Sequence, residues 1–187
     1  MKVGTAVTIA LLLCGAPAGA AEVVLGNGVA HDCFTQAMRA RDAQAGIAIC
    51  GRALDSDVLA SKDRAATLIN RGILRTRAKD ASGALSDFAA ALALRTSDDA
   101  AYLNRSAAFI ALERYAEALD DANRAIALGA QRLEIAYYNR GVANEELGNI
   151  GAAFEDYKAA LRVEPRFAAA TAQLRRFRVV SDDPKGT

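Results

Sequence analysis

Three times along the chain a small residue is followed four positions later by a second residue and three after that by alanine. The triplets are Ala84, Phe88 and Ala91; Ala118, Ala122 and Ala125; and Ala153, Tyr157 and Ala160. Steps of four and three put each triplet on one face of a helix. Ahead of each triplet lies another helical stretch carrying an Asn-Arg pair and then a very small residue: Asn70-Arg71-Gly72, Asn104-Arg105-Ser106 and Asn139-Arg140-Gly141. The breaks between the two stretches, "AKDASG", "LERYAE" and "LGNIG", are polar or contain glycine. This pattern predicts a pair of antiparallel helices joined by a short turn, with small residues letting the backbones approach. The asparagines stand 34 and then 35 residues apart, so the unit recurs nearly in phase. Alternating Val, Ile and Thr runs are missing, and no strand is expected.

The same pattern extends past the three units in weaker form. "AGIAICGRALDSD" reads as a second helix, with Gly46, Cys50 and Ala53 in the triplet positions, and "VAHDCFTQAMRARD" as its partner, with Phe34 in the small-residue place. At the other end "RFAAATAQLRRFRVV" reads as a helix that covers the last apolar face, and "SDDPKGT" as a frayed tail.

Composition supports helices. Ala, Leu, Arg, Glu and Asp dominate, there is no Trp, and Pro occurs only 3 times in 187 residues. Twenty-three basic residues face 22 acidic ones, mixed along the chain, which argues against the basic face that nucleic acid needs. Residues 1–20 read as a secretory signal: Lys2, the apolar run "VGTAVTIALLLCG", then small residues at Ala18 and Ala20 with cleavage expected after Ala20 or Ala21. A retained membrane anchor is the alternative, but the apolar run is short for a span and the small residues follow it directly. A lipid-modified Cys14 is disfavoured because Leu13 stands where that signal wants a small residue. Lys2 is the only charged residue before Glu22, so removal of the signal leaves a formally neutral chain, exported to a periplasm or secreted. No other segment is apolar enough to span a membrane.

The period near 34 resembles the tetratricopeptide repeat (TPR) family. The resemblance covers residues 65–98, 99–133 (with Leu133 inserted) and 134–167, preceded by the degenerate hairpin at 21–64 and followed by a cap helix at 168–180 and a tail at 181–187. The third unit matches best, through Tyr137, Arg140-Gly141, Leu147-Gly148, Ala153, Tyr157, Ala160 and Pro165. The second departs most: Ser106 replaces glycine, Ala122 replaces an aromatic, and Gly129-Ala130 stands where Leu and Pro are usual. The first has Thr96 where Pro is expected. The implied fold is all-α, a right-handed superhelical array of antiparallel helix pairs, an α-solenoid.

The resemblance also implies a concave groove lined by the first helix of each unit. Those positions are Ile69, Asn70, Ile73, Thr76 and Arg77; Leu103, Asn104, Ala107, Ile110 and Ala111; and Tyr138, Asn139, Val142, Glu145 and Glu146. In the family the asparagine often bonds the backbone of a bound peptide, and an amide both donates and accepts. The alternative is that the asparagines bond within the stack. The arginine series is expected to point sideways, its stems packed between neighbouring helices. Ala66, Ala100 and Ile135 stand where TPR modules that grip acidic chaperone tails carry Lys or Arg, so an apolar peptide or helix is expected, with a basic residue facing Glu145 and Glu146.

Cys33 and Cys50 remain after signal removal, at matching heights of the first hairpin, and an exported chain favours their oxidation to a disulfide. A metal site of His31, Cys33 and Cys50 is the rival, but the spacing matches no standard zinc pattern. Redox activity is disfavoured without Cys-x-x-Cys. There is one His, no Gly-rich phosphate loop and no paired nucleophile and base. Acidic pairs such as Asp120-Asp121 and Glu145-Glu146 are expected to be solvated. The expectation is therefore a binding protein without cofactor, not an enzyme. It is an adaptor for another protein, or else a self-associating module whose groove is filled by its own C-terminal segment or another copy.

Overall fold

The computed structural model describes residue 21 and residues 28–39, 42–56 and 58–177. The signal at 1–20, the tail at 181–187 and the last three residues of the expected cap helix lie outside these.

Among the described residues there are nine helices and no strand. They are α1 (Val29–Arg39), α2 (Ala43–Ser56), α3 (Ser61–Arg77), α4 (Ala81–Leu94), α5 (Asp99–Ala111), α6 (Tyr115–Ala127), α7 (Leu133–Glu146), α8 (Ile150–Val163) and α9 (Ala168–Leu174). Each odd helix pairs with the next, giving four hairpins and a terminal helix, an all-α solenoid of helix pairs. The first helix of the first TPR-like unit begins at Ser61, four residues ahead of the Ala65 boundary.

The three triplets are the core. Ala84, Phe88, Ala91, Ala118, Ala122, Ala125, Ala153, Tyr157 and Ala160 are all 0% exposed. The glycines explain how closely the paired helices sit. A Cβ added at Gly72 would lie 2.5 Å from the Phe88 ring, and one at Gly141 would lie 2.8 Å from that of Tyr157. Repeat two solves the same space differently. Ser106 and Ala122 stand in those registers and both are fully buried, so a larger residue on one helix offsets a smaller one on the other. Two of the three departures noted in the second unit thus fall in facing registers.

The turns inside the three units need one residue in the left-handed region. Gly148 adopts it at φ 82°, while Lys79 (φ 64°) and Glu113 (φ 58°) adopt it without glycine's freedom. Only the best-matching unit has the residue suited to its own turn.

A polar brace repeats beside each glycine or serine. Arg71 donates to Asp87 through Nε (3.0 Å) and Nη2 (2.7 Å), Arg105 to Asp121 at 2.6 and 2.9 Å, and Arg140 to Asp156 through Nε at 3.0 Å and Nη2 at 2.6 Å. The arginines lie between helices, reaching the second helix of their own unit, and Arg140 also bonds Asn123 of the preceding unit at 3.0 Å. The aspartates are buried, at 2 to 4% exposure. Asp121 is thus not the solvated residue expected of an acidic pair.

The first hairpin is joined differently. Cys33 stands 17 residues before Cys50, as Arg71 stands 17 before Phe88, and the structure joins the two cysteines, with Cα atoms 4.7 Å apart, beside buried Ala37 and Leu74. The covalent link joins the registers of Arg71 and Phe88, one position along from the brace. Replacing both cysteines by serine is expected to cost about 3 kcal/mol in the chain-entropy account, read as an earlier urea transition that reductant reproduces in the wild type.

Candidate functional site

The first helices pack side by side, α1 on α3, α3 on α5 and α5 on α7, while the second helices pack chiefly on the first helices beside them. Side-by-side approach of one layer makes that layer the inner wall of the curve. The inner face is therefore the candidate binding surface.

Seven of the fifteen groove positions expected from the sequence are buried: Ile69, Asn70, Ile73, Leu103, Ile110, Asn139 and Val142 are between 0 and 8% exposed. They hold the helices to one another. Asn139 shows how: its Nδ2 donates to Ser106 Oγ (2.8 Å) and approaches Leu103 O (3.4 Å) in the preceding unit, and Ser106 Oγ itself donates to Leu103 O (2.7 Å). The serine that departs from the glycine pattern is a partner for the next asparagine.

The remaining positions present surface. Arg77, Asn104, Ala107, Tyr138 and Glu145 are half-buried, and Glu146 and Ala111 are exposed. Burial lowers the pKa of the Arg77 guanidinium. Asn104 Nδ2 donates to Ala100 O one turn back (2.8 Å), which holds the amide in place with its carbonyl oxygen as a further acceptor. Thr76 is turned inward, donating to Gly72 O at 3.0 Å.

The third-unit end of the face is aromatic and acidic. The Tyr138 ring lies 5.8 Å from Tyr157 and meets Phe167 edge-on at 5.5 Å. Glu145 accepts from Tyr157 Oη (2.7 Å) and from Arg176 Nη2 (2.9 Å). Burial first, and then the Glu145 carboxylate, push the Tyr157 phenol far up, so it remains a donor. Burial, then Glu145, raise the Glu146 carboxyl, with Arg176 acting against them.

Sequence reading missed two sets of residues here. Asp87, Asp121 and Asp156 recur at 34 and 35, one position before the central triplet residue, so phase alone could have found them. Gln173 falls 34 after Asn139, a fourth member of the asparagine series, and its Nε2 reaches Tyr138 Oη at 3.5 Å. Two residues later Arg175 takes the small-residue place, and the helix has already ended at Leu174. Among the described residues no group of three His, Cys, Asp or Glu is placed to hold a metal ion, and no helix is long and apolar enough to cross a membrane.

Comparison with known proteins agrees with this architecture. Residues 135–167, the α7–α8 hairpin and its exit, match the family model described as tetratricopeptide repeat. Serine/threonine-protein phosphatase 5 of Homo sapiens is 38% identical over 89 residues, which is 48% of this chain and 18% of that protein. The match thus spans less than a fifth of the relative's length. Among solved structures, the first TPR of Spaghetti (RPAP3) bound to HSP90 peptide SRMEEVD is 28% identical with a TM-score of 0.57, covering 60% of this chain and 88% of that one. MamA is 21% identical with a TM-score of 0.65 over 80% of this chain and 82% of its own, a likeness of fold. Residues 135–167 thus match the tetratricopeptide repeat, within an array of helix pairs that shares the fold of TPR domains.

Proposed function

We propose that this chain is a protein–protein interaction module whose inner face takes a segment of another protein. The observation that carries it is the strip of half-exposed first-helix residues, Asn104, Ala107 and Tyr138, with an amide fixed in the middle. Peptide binding by a relative of this fold, the TPR that holds an HSP90 peptide, supports the class of ligand. The acidic tail of that peptide does not suit this face. Ala66 and Ala100 are buried and apolar, Ile135 is half-buried, and the nearest charges at the third-unit end are Glu145 and Glu146. An apolar or basic-apolar segment complements it.

Export belongs to the same reading. The apolar run after Lys2 and the bridged cysteines both suit an oxidising compartment, a periplasm or the outside of a cell. The second reading, a self-associating module, is favoured by one observation: Gln173, Arg176 and Phe177 of the C-terminal segment lie on α7 and α8.

The test is partner capture by the chain from Ala21, beside Asn104→Ala and Ala107→Glu. Leu103 is 1% exposed, so its replacement would disturb the core and mean little. Asn104→Ala should weaken the captured complex about tenfold, the loss of one or two hydrogen bonds. Equal retention by wild type and both variants would move the docking surface off the inner face.

A further inference from the structure

The last described residues behave as a ligand already in place. Arg176 pairs with Glu145 at 2.9 Å, and Phe177 stacks at 5.6 Å from Phe154 and 5.9 Å from Tyr157. An acidic carboxylate beside an aromatic wall holds a guanidinium followed by a ring. We propose that the α7–α8 surface is a docking site for a partner segment bearing two basic residues and then an aromatic, and that this chain's own residues 173–177 occupy it in cis until that partner displaces them. The proposal rests on the interaction-module reading and names the chemistry of its ligand.

The cis occupant is weakly held. A helix of seven residues has no stability of its own. Its ion pair is open to solvent, with the Arg176 side chain 43% exposed, and such pairs contribute little. The Gln173–Tyr138 approach is at the outer limit of a hydrogen bond. Ala170, Leu174 and Phe177 pack it on the α7–α8 core, and its tether adds a millimolar effective concentration.

The cis segment also leaves something unused. Glu146 is exposed, adjoins Glu145 and has no ion pair among the described residues. A partner with a second cation beside Glu146 adds a direct pair to the longer-range attraction that Arg176 exerts on it. A second copy of this chain would offer the same segment, gain no new contact by exchange, and lose translational freedom. A distinct partner is therefore the occupant that can win.

The experiment uses a fluorescent peptide of residues 168–177 (AAATAQLRRF) and the full chain. Arg176→Ala/Phe177→Ala opens the site, and its fold is checked by circular dichroism. The opened chain should bind the peptide at least tenfold tighter than wild type. Glu145→Gln/Glu146→Gln in that background, or Phe177→Ala in the peptide, should abolish binding. Lys62→Ala, an exposed change at the start of α3 far from α7 and α8, should leave it unchanged in that background. On the wild-type chain, millimolar peptide with a photoreactive ring at the Phe177 position should crosslink to α7 or α8. No binding to the folded opened chain, equal binding by both chains, crosslinks elsewhere, or a wild-type dimer by light scattering that the peptide does not disperse would each overturn the proposal. Loss of these effects with Asn104-dependent capture intact would sink this inference alone.

Discussion

Asp87→Ala is expected to lower unfolding free energy by about 2–4 kcal/mol, near the cost of breaking a buried ion pair. Asp87 is 2% exposed and accepts from three guanidinium nitrogens, two on Arg71 and one on Arg75 (2.8 Å). Its loss strands two cations. Their side chains are 20 and 24% exposed, so a small movement reaches water, which places the cost below the full range for buried pairs. The reverse deletions differ between units. Arg71→Ala leaves Asp87 with Arg75, whereas Arg140→Ala leaves Asp156 with only the neutral Asn144 amide at 2.9 Å. A carboxylate stranded in a buried site costs more than one that keeps a cation. Urea unfolding of the three variants should therefore rank Arg140→Ala as more damaging than Arg71→Ala. Equal midpoints for the two arginine variants would show that the braces do not depend on their neighbours.

The pair Gly72 and Phe88 should show strong coupling. Gly72→Ser alone drives a side chain into a ring 2.5 Å from where its Cβ would stand, costing about 1–3 kcal/mol by overpacking. Phe88→Ala alone empties a fully buried site and costs about 3–5 kcal/mol. Together they reproduce the Ser106 and Ala122 arrangement that the second unit already uses. The double variant should be less destabilised than the two losses combined, by about 1–3 kcal/mol of coupling in a double-mutant cycle. Additive losses would mean that the second unit's arrangement depends on its own neighbours, Asn139 above all, and not on the pair.

Much of the inner face is covered for a related reason. The family resemblance puts Ile69, Leu103 and Val142 on the groove side of each first helix. In the array that side is shared between the groove and the adjoining first helices, which pack closely enough to cover all three. Asn70 and Asn139 are covered likewise, and only Asn104 remains partly open. Periodicity assigns a residue to a side of its own helix. It does not tell how far the next helix overlaps that side.

The sequence by itself determined the helix pairs, their phase and the buried triplets, because these follow from local spacing: steps of three and four fix a helix face, and polar or glycine-bearing breaks fix the turns. It also brought Cys33 and Cys50 to one level of one hairpin, since both sit a countable distance from the same turn. Tertiary structure alone decided which asparagine stays open, that each arginine takes its own unit's aspartate, that Ser106 serves the next unit, and that Arg176 and Phe177 lie against α7 and α8. Each of these depends on distances between helices more than 30 residues apart or across a turn, where one ångström separates a hydrogen bond from solvent, and no local pattern carries that distance.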